Sequence, residues 1–458
     1  MLSASWMASV RLRISGKIVL DKPSLPQSCR RERASVVQSD RNPVPDIEIY
    51  IELQGQMRQV GLARCKRVRG SETITFEYTD EWLDSPDRFS IEPALALTRG
   101  VFPPPAGQSI FGAIGDSAPD TWGRRLMQRL ERRQAERDRR AVRTLTESDY
   151  LLGVSDETRL GALRFRWAGE QTFQAPPRAG VPTLIELGRL MQITERILRD
   201  EESDADLQLI FAPGSSLGGA RPKASVIDQH GHLSIAKFPK ETDEYSMETW
   251  EEIALRLAAQ AGITTPHHHL LQVAGKAVLL SRRFDRSGLI RIPFLSAMSM
   301  TGSKDGERGS YPEIVDALSS HGAQAKADAQ SLYRRVVFNV LISNVDDHLR
   351  NHGFLWLGRT GWTLSPAYDL NPVPTDLKAR ILTTNIDLDE GTCSLDLLEA
   401  AAEYFSLSLP QARTVIKEVA TVTASWREVA RNAGAKSSEI NRMASAFEHE
   451  DLQRALAR

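Results

Sequence analysis

Cysteine is scarce in this chain: 458 residues contain three, Cys29, Cys65 and Cys393. An odd, scattered trio fits neither a disulfide framework nor paired metal ligands, and it points to a reducing, cytoplasmic setting. Long apolar runs are missing too. The stretch 336–343 is among the longest and falls far short of the ~18–20 residues that span a bilayer, so no membrane partner is expected. A dominant charge is absent as well: Lys and Arg number 58, Asp and Glu 59, for a net −1. No global field therefore draws the chain to nucleic acid or anionic lipid, and any such binding must be local. What is present is ordinary, 41% hydrophobic and 26% charged residues, which excludes a disordered, collagen-like or channel-forming chain. At about 100–200 residues per domain, the length accommodates two to four domains.

Residues 1–45 carry eight Lys or Arg against three acids, Asp21, Glu32 and Asp40. With no sustained period they read as a basic, disordered tail; a transit peptide is the minor alternative, because no amphipathic face is present. Order begins where Ile47, Ile49 and Ile51 alternate with Glu48, Tyr50 and Glu52, the period of a half-buried strand. A second strand is expected over 73–78, and a helix over 122–143 that holds nine arginines. Those arginines suit phosphate, but Glu131, Glu136 and Asp138 interleave with them, and a solvated helix face is the favoured reading. Pro176, Pro177, Gly180 and Pro182 mark a linker. Beyond it the pattern predicts a helix over 184–200, a hairpin of 223–228 with 233–238, a helix over 247–261 and a buried strand over 277–284. From Tyr311 onward a largely helical region is expected, broken by one hairpin at 353–365.

The chemistry lies after the linker. Ser215-Ser216-Leu217-Gly218-Gly219-Ala220-Arg221-Pro222-Lys223 is a small-residue loop entering a strand, where glycines admit phosphate to backbone N–H groups. It matches neither the P-loop nor the dinucleotide fingerprint. Lys237 ends the next strand between apolar neighbours, and a lysine there needs an anion, with Glu251 on the following helix available to it. A glycine loop, a strand lysine and a helix glutamate in this order resemble the upper lobe of a protein kinase. Then comes Asn344-Val345-Asp346-Asp347-His348-Leu349-Arg350-Asn351. Asp followed five residues later by Asn is the spacing of a kinase catalytic loop, in which Asp takes the hydroxyl proton and Asn binds magnesium. Asp369, after the next hairpin, stands where a hard cation needs carboxylate oxygen. Singly, Asp346 would cap a helix, Asn351 hold a turn and Asp369 be a loop acid; in kinase order, coincidence is the weaker reading. His348 is a base by type, but the spacing favours Asp346. His267-His268-His269 lies on a strand-like stretch whose neighbours face opposite ways, so a three-histidine metal site is not expected.

Taken together these motifs resemble the HipA family, bacterial serine/threonine kinases that act as toxins of toxin–antitoxin pairs. The likeness is carried by 216–223, Ala236-Lys237-Phe238-Pro239, Arg283-Phe284-Asp285-Arg286, 344–351 and Pro366-Ala367-Tyr368-Asp369-Leu370, and ahead of them by Asp120-Thr121-Trp122-Gly123-Arg124 and Gly161-Ala162-Leu163-Arg164-Phe165. It covers about residues 46–440. The resemblance implies an α+β, kinase-like bilobal fold: a β-rich amino-terminal subdomain (46–175), an upper lobe (183–285) and a mostly helical carboxy-terminal lobe (286–458). It implies Mg²⁺ and ATP as cofactors, Asp346 as base, and Asn351 and Asp369 as metal ligands. ATP contacts would come from Ser216, Leu217, Gly218, Gly219, Ala220, Arg221, Pro222, Lys223, Lys237 and Glu251, with Arg282, Arg283 and Phe284 at the adenine hinge and His348 and Tyr368 beside them. Ser216, with Ser215 as neighbouring alternative, aligns with the loop serine whose phosphorylation silences such enzymes. The implied partners are a helix-turn-helix antitoxin of the HipB type, operator DNA through that complex, and a protein substrate such as an aminoacyl-tRNA synthetase. Arg282 departs from the hinge pattern, which has an acid there. A silent co-repressor and a kinase of small molecules or lipids are the competing readings.

Overall fold

The structure, a computed structural model, describes residues 45–68, 71–174, 180–214 and 219–458. The basic tail through residue 44 and the loop residues Ser215, Ser216, Leu217 and Gly218 lie outside the described residues, as do Pro176 and Pro177. The isoleucine alternation forms β1 (Ile47–Leu53), whose Ile47, Ile49 and Ile51 are buried. Gln54 and Gly55, at φ of 50° and 78°, turn β1 into β2 (Gln56–Val68); two successive left-handed residues match the twist of a tight hairpin. β3 (Ser71–Tyr78), β4 (Val101–Phe102) and β5 (Leu163–Trp167) complete an antiparallel sheet in the order β4-β3-β2-β1-β5.

The helix Thr121–Arg137 follows β4, capped by Asp120, which accepts the Gly123 N–H at 2.7 Å. It stops short of the expected 143. Arg139 at φ 52° reverses the chain, and Arg140 comes back to Glu131 at 2.6 Å. Several of the arginines are paired: Arg124 with Glu147 (2.8 Å), Arg129 with Glu202 (2.9 Å) and, beyond the helix, Arg143 with Asp149 (2.9 Å).

The second sheet consists of β6 (Lys223–Ile227), β7 (Leu233–Lys237), β8 (His268–Val273) and β9 (Lys276–Arg282), all antiparallel in the order β6-β7-β9-β8. One face takes the helices Leu187–Leu198 and Asp204–Gly214 and, from the amino-terminal part, Trp122 and Leu126. The other takes Met247–Gln260. Alternation along β9 serves both, with Val278 and Leu280 in one core and Leu279 in the other, as period two dictates. After the short pair β10 (Arg286–Ser287) and β11 (Ile290–Arg291), β12 (Phe294–Ser296) adds to the expected hairpin of β13 (Gly353–Trp356) and β14 (Trp362–Leu364).

Helices dominate from Tyr311, and Ala325–Leu341 runs through their centre with Val336, Val337 and Phe338 fully buried. The expectation of one helical region broken only by a hairpin needs correction: residues 366–394 carry neither helix nor strand. Pro366, Pro372 and Pro374 oppose helix there. The backbone of this stretch instead bonds to the loop before it, Val373 N–H to Ser343 O, Thr383 N–H to Val345 O and Thr384 N–H to Asp347 O (all 3.1 Å). Residues 44–458 make one compact unit. The last residue of the expected linker is anchored, since Ile227 N–H donates to Pro182 O at 2.8 Å.

Candidate active site

Lys223 and Lys237 are direct cross-strand partners on β6 and β7. Like charges opposite each other destabilise a sheet unless each has an anion, and each does. The Lys237 ammonium lies 2.7 Å from both Glu251 oxygens and 2.8 Å from Asp369 Oδ1. Lys223 lies 3.4 Å from Asp120 Oδ2. One strand, one helix and a loop 132 residues away thus meet at one ammonium. Burial alone would lower the Lys237 pKa, but Asp369 and Glu251 outweigh it and raise it. Burial likewise would raise the Asp369 carboxyl, yet Lys237 and Lys223 hold it well below the usual carboxylate range. For Glu251 burial wins and the pKa is raised; for Lys223 burial lowers it. Asp120 is pushed up to about 6 by burial, against the pull of Lys223.

Asp369 sits at φ 59°, a left-handed conformation that non-glycine residues rarely adopt and that clusters at functional sites. Its hydrogen bonds fall on Oδ1, from Lys237 and from Asn371 Nδ2 (3.1 Å). Asn344 ties its loop to the catalytic one, accepting Asn371 N–H on Oδ1 at 3.1 Å and donating to Asn339 at 3.0 Å. Asp346 is 62% exposed and meets Lys378 at 3.1 Å. Asn351, buried, donates to the Asp346 carbonyl at 3.3 Å. The adjacent Asp347 points inward: Tyr311, Asn339 (2.8 Å) and His352 (2.8 Å) converge on its Oδ2. It fastens the loop, and Asp346 is the member left facing out.

Among the loop residues, Gly219 has φ 99°, a backbone conformation that strains any other residue, and a Cβ there would stand 2.8 Å from Lys223 Nζ. Its carbonyl accepts Trp122 N–H at 3.4 Å. Arg221 is turned to Asp243 (2.8 Å) and Glu248 (2.9 Å), and the Pro222 carbonyl accepts Phe238 N–H at 3.0 Å. Ala220 lies between them with an exposed side chain.

The expected hinge is arranged otherwise than a row of adenine contacts. Arg282 N–H donates to His267 O and Arg283 N–H to Leu233 O. The Arg283 guanidinium is buried on Asp285 (2.7 Å), Thr158 O (2.6 Å) and Arg159 O (3.1 Å), so all three of its nitrogens are committed at the join with the amino-terminal sheet. Asp285 also accepts Gly161 N–H at 2.7 Å, and Arg286 donates to Arg159 O at 2.6 Å. Phe284 is the exception, its ring 5.4 Å from that of Tyr368, whose hydroxyl donates to Arg350 O at 2.8 Å. His348 Nδ1 is buried without a partner, a polar atom that a ligand would satisfy. Among the described residues no group of three or more His, Cys, Asp or Glu could cage a metal. Asp369 and Asn351 do offer the oxygen donors of a hard cation that keeps waters and substrate phosphates as its other ligands.

Sequence reasoning missed Lys378, Asn371, Tyr311 and Asn339, none of which falls in a recognisable spacing. Asn344 and Asp120 were each visible only as part of a motif. No helix among the described residues is long and apolar enough to cross a membrane.

Residues 215–426 match the family described as the HipA-like C-terminal domain. "Putative kinase" of Haemophilus influenzae is 23% identical over 210 residues, 40% of this chain and 61% of that protein. "Putative kinase Y4dM" of Sinorhizobium fredii is 29% identical over 153 residues, 30% of this chain and 36% of that one. The chain spans less than two thirds of the length of either relative. Among solved structures, HipA of Shewanella oneidensis MR-1, in complex with HipB and its operator DNA, has a TM-score of 0.59 at 16% identity, covering 90% of this chain and 96% of that one. What is shared at that identity is the fold, which is HipA-like: antiparallel sheets in the amino-terminal part, helices in the carboxy-terminal part.

Proposed function

We propose that this chain is a Mg²⁺–ATP-dependent protein kinase of the HipA type, transferring the γ-phosphoryl group to a serine or threonine hydroxyl. The observation that carries the reading is the Lys237 ammonium held between Glu251 and Asp369. In protein kinases the strand lysine, the helix glutamate and the metal-binding aspartate must all be in place for transfer. Phosphoryl transfer depends on positioning and charge stabilisation more than on covalent chemistry, so few residues suffice. Lys237 and Lys223 supply positive charge to the nucleotide phosphates. Asp369 and Asn351 would hold magnesium, which when bound neutralises phosphate charge. Asp346 takes the proton as the acceptor oxygen bonds to phosphorus and the bond to ADP breaks. The exposure of Asp346, 62%, favours a side chain delivered by another protein over an enclosed metabolite.

The substrate we propose is a component of translation, an aminoacyl-tRNA synthetase being the leading class. A self-phosphorylated Ser216, or Ser215 beside it, would place roughly two negative charges against the ATP phosphates and silence the enzyme. A helix-turn-helix antitoxin and, through it, operator DNA are the proposed partners, supported by the HipB and DNA of the Shewanella complex. The test is phosphopeptide mass spectrometry after incubation with Mg²⁺–ATP, wild type against Asp346→Ala. Phosphate on Ser215 or Ser216 in the wild type alone is expected, with ATP binding kept in the variant. Equal phosphate in both would sink the assignment of Asp346.

A further inference from the structure

Asp346 has one side-chain partner among the described residues, Lys378, whose ammonium lies 3.1 Å from Oδ1. The side chains of both are more than half exposed, 55% for the lysine and 62% for the acid, and an ion pair so open to water adds little to folding stability. The segment bearing Lys378 is nonetheless pinned in several places. Val373 N–H donates to Ser343 O, and Leu377 N–H closes a turn on Pro374 O at 3.0 Å. Asp376 pairs with Arg442 at 3.1 Å. Two residues after Lys378, Arg380 reaches Ser343 Oγ (3.1 Å), Val340 O (2.9 Å) and Asp451 (2.7 Å). Thr383 and Thr384 then donate to the carbonyls of Val345 and Asp347, on either side of Asp346. An irregular segment bonded this densely to the loop beside it fixes its distance from that loop, and the one side chain it extends to the Asp346 carboxylate is Lys378.

We propose that Lys378 is a positioning residue for phosphoryl transfer, holding Asp346 by Oδ1 so that Oδ2 faces the acceptor hydroxyl. The inference rests on the kinase reading above. As the acceptor oxygen bonds to phosphorus and the bond to the ADP oxygen breaks, the hydroxyl proton passes to Oδ2. A bare carboxylate would repel the phosphoryl group at that moment. The ammonium offsets that repulsion and puts a cation beside the charge spread over the phosphoryl oxygens. Lys378 would act on the chemical step and not on nucleotide capture, which falls to Lys237 on the other lobe.

The test follows ADP release and ³²P incorporation from Mg²⁺–ATP in the full chain, with ATP affinity measured by titration. Wild type is compared with Lys378→Met, Lys378→Arg and Asp346→Ala. Lys378→Met is expected to slow transfer about tenfold or more with ATP affinity and melting temperature unchanged, and Lys378→Arg to recover it to within about threefold. Lys378→Met at the wild-type rate beside a silent Asp346→Ala overturns the role of Lys378 and leaves the kinase reading standing. Equal loss in the arginine variant overturns it as well, since charge would not be what matters. A wild type no faster than Asp346→Ala removes the kinase reading and this inference with it.

Discussion

At the scale of single residues, burial and pairing assign different work to carboxylates of the same type. Asp346 and Asp347 are neighbours, yet one is 62% exposed and the other is buried under Tyr311, Asn339 and His352. Glu251 and Asp369 share a single ammonium, so removing it strands two acids. Replacing Lys237 with Met should therefore destabilise the fold by roughly 3–5 kcal/mol, the cost of breaking a buried pair. It should also weaken ATP binding by about tenfold or more. Denaturant unfolding and nucleotide titration would show both, and unchanged ATP affinity would remove Lys237 from the phosphate site. Lys237, Asp346, Asn351 and Asp369 were legible because a charge between apolar residues, or a fixed spacing, is visible without coordinates. Lys378 was not, because an irregular segment has no period to read.

Elements show a different control, at their ends. The helix Glu450–Ala457 is capped by His449, whose Nδ1 accepts Leu452 N–H at 3.3 Å while Nε2 faces Leu341 O at 3.1 Å. That pattern requires the neutral ring, because a proton on Nδ1 breaks the cap. Burial, and then the nearby Arg380 charge against a smaller opposing pull from Asp451, lowers the His449 pKa to about 4. Between that value and the ordinary ~6.5 the unfolded chain binds a proton that the folded one refuses. This contribution to stability is thus fully present above about pH 6.5 and falls away as pH drops towards 4, by up to about 3 kcal/mol. Unfolding free energies of wild type and His449→Asn at pH 7 and pH 5 check this; asparagine keeps a cap without a proton to gain, and an identical pH slope in the variant would refute it. Elements with a clear period, such as β1 and Met247–Gln260, matched expectation. β12 and the helix Asp204–Gly214 were not anticipated, because short apolar runs look alike in helix and strand.

On the scale of the whole molecule, the amino-terminal sheet is part of the same solid as the candidate site. One apolar core runs from Ile47 to Ala455, and a second joins Trp122 and Leu126 to the β6–β9 sheet. Between the parts lie buried charges: Arg159, whose pKa burial lowers to about 9, and the Arg283, Asp285 and Arg286 group. A fragment of residues 183–458 contains Lys237, Glu251, Asp346, Asn351 and Asp369, yet it would bare these surfaces and leave Arg283 without its carbonyl partners. We expect it to be insoluble or to unfold without cooperativity, with the full chain as control; a soluble fragment with a sharp thermal transition would show that the kinase-like part folds alone.

The residue types, their order along the chain and the periods of the longer elements were determined by sequence alone. They suffice to mark candidates for a phosphate loop, a strand lysine, a catalytic loop and a metal-binding acid, because each is a local pattern. Which of two adjacent aspartates faces outward was decided only by tertiary structure. So were the commitment of Arg283 to the join between sheets and the presence of Lys378 and Asp120 at the site. Each of these depends on hydrogen bonds and burial between segments distant in sequence, and such contacts leave no trace in the spacing of residues.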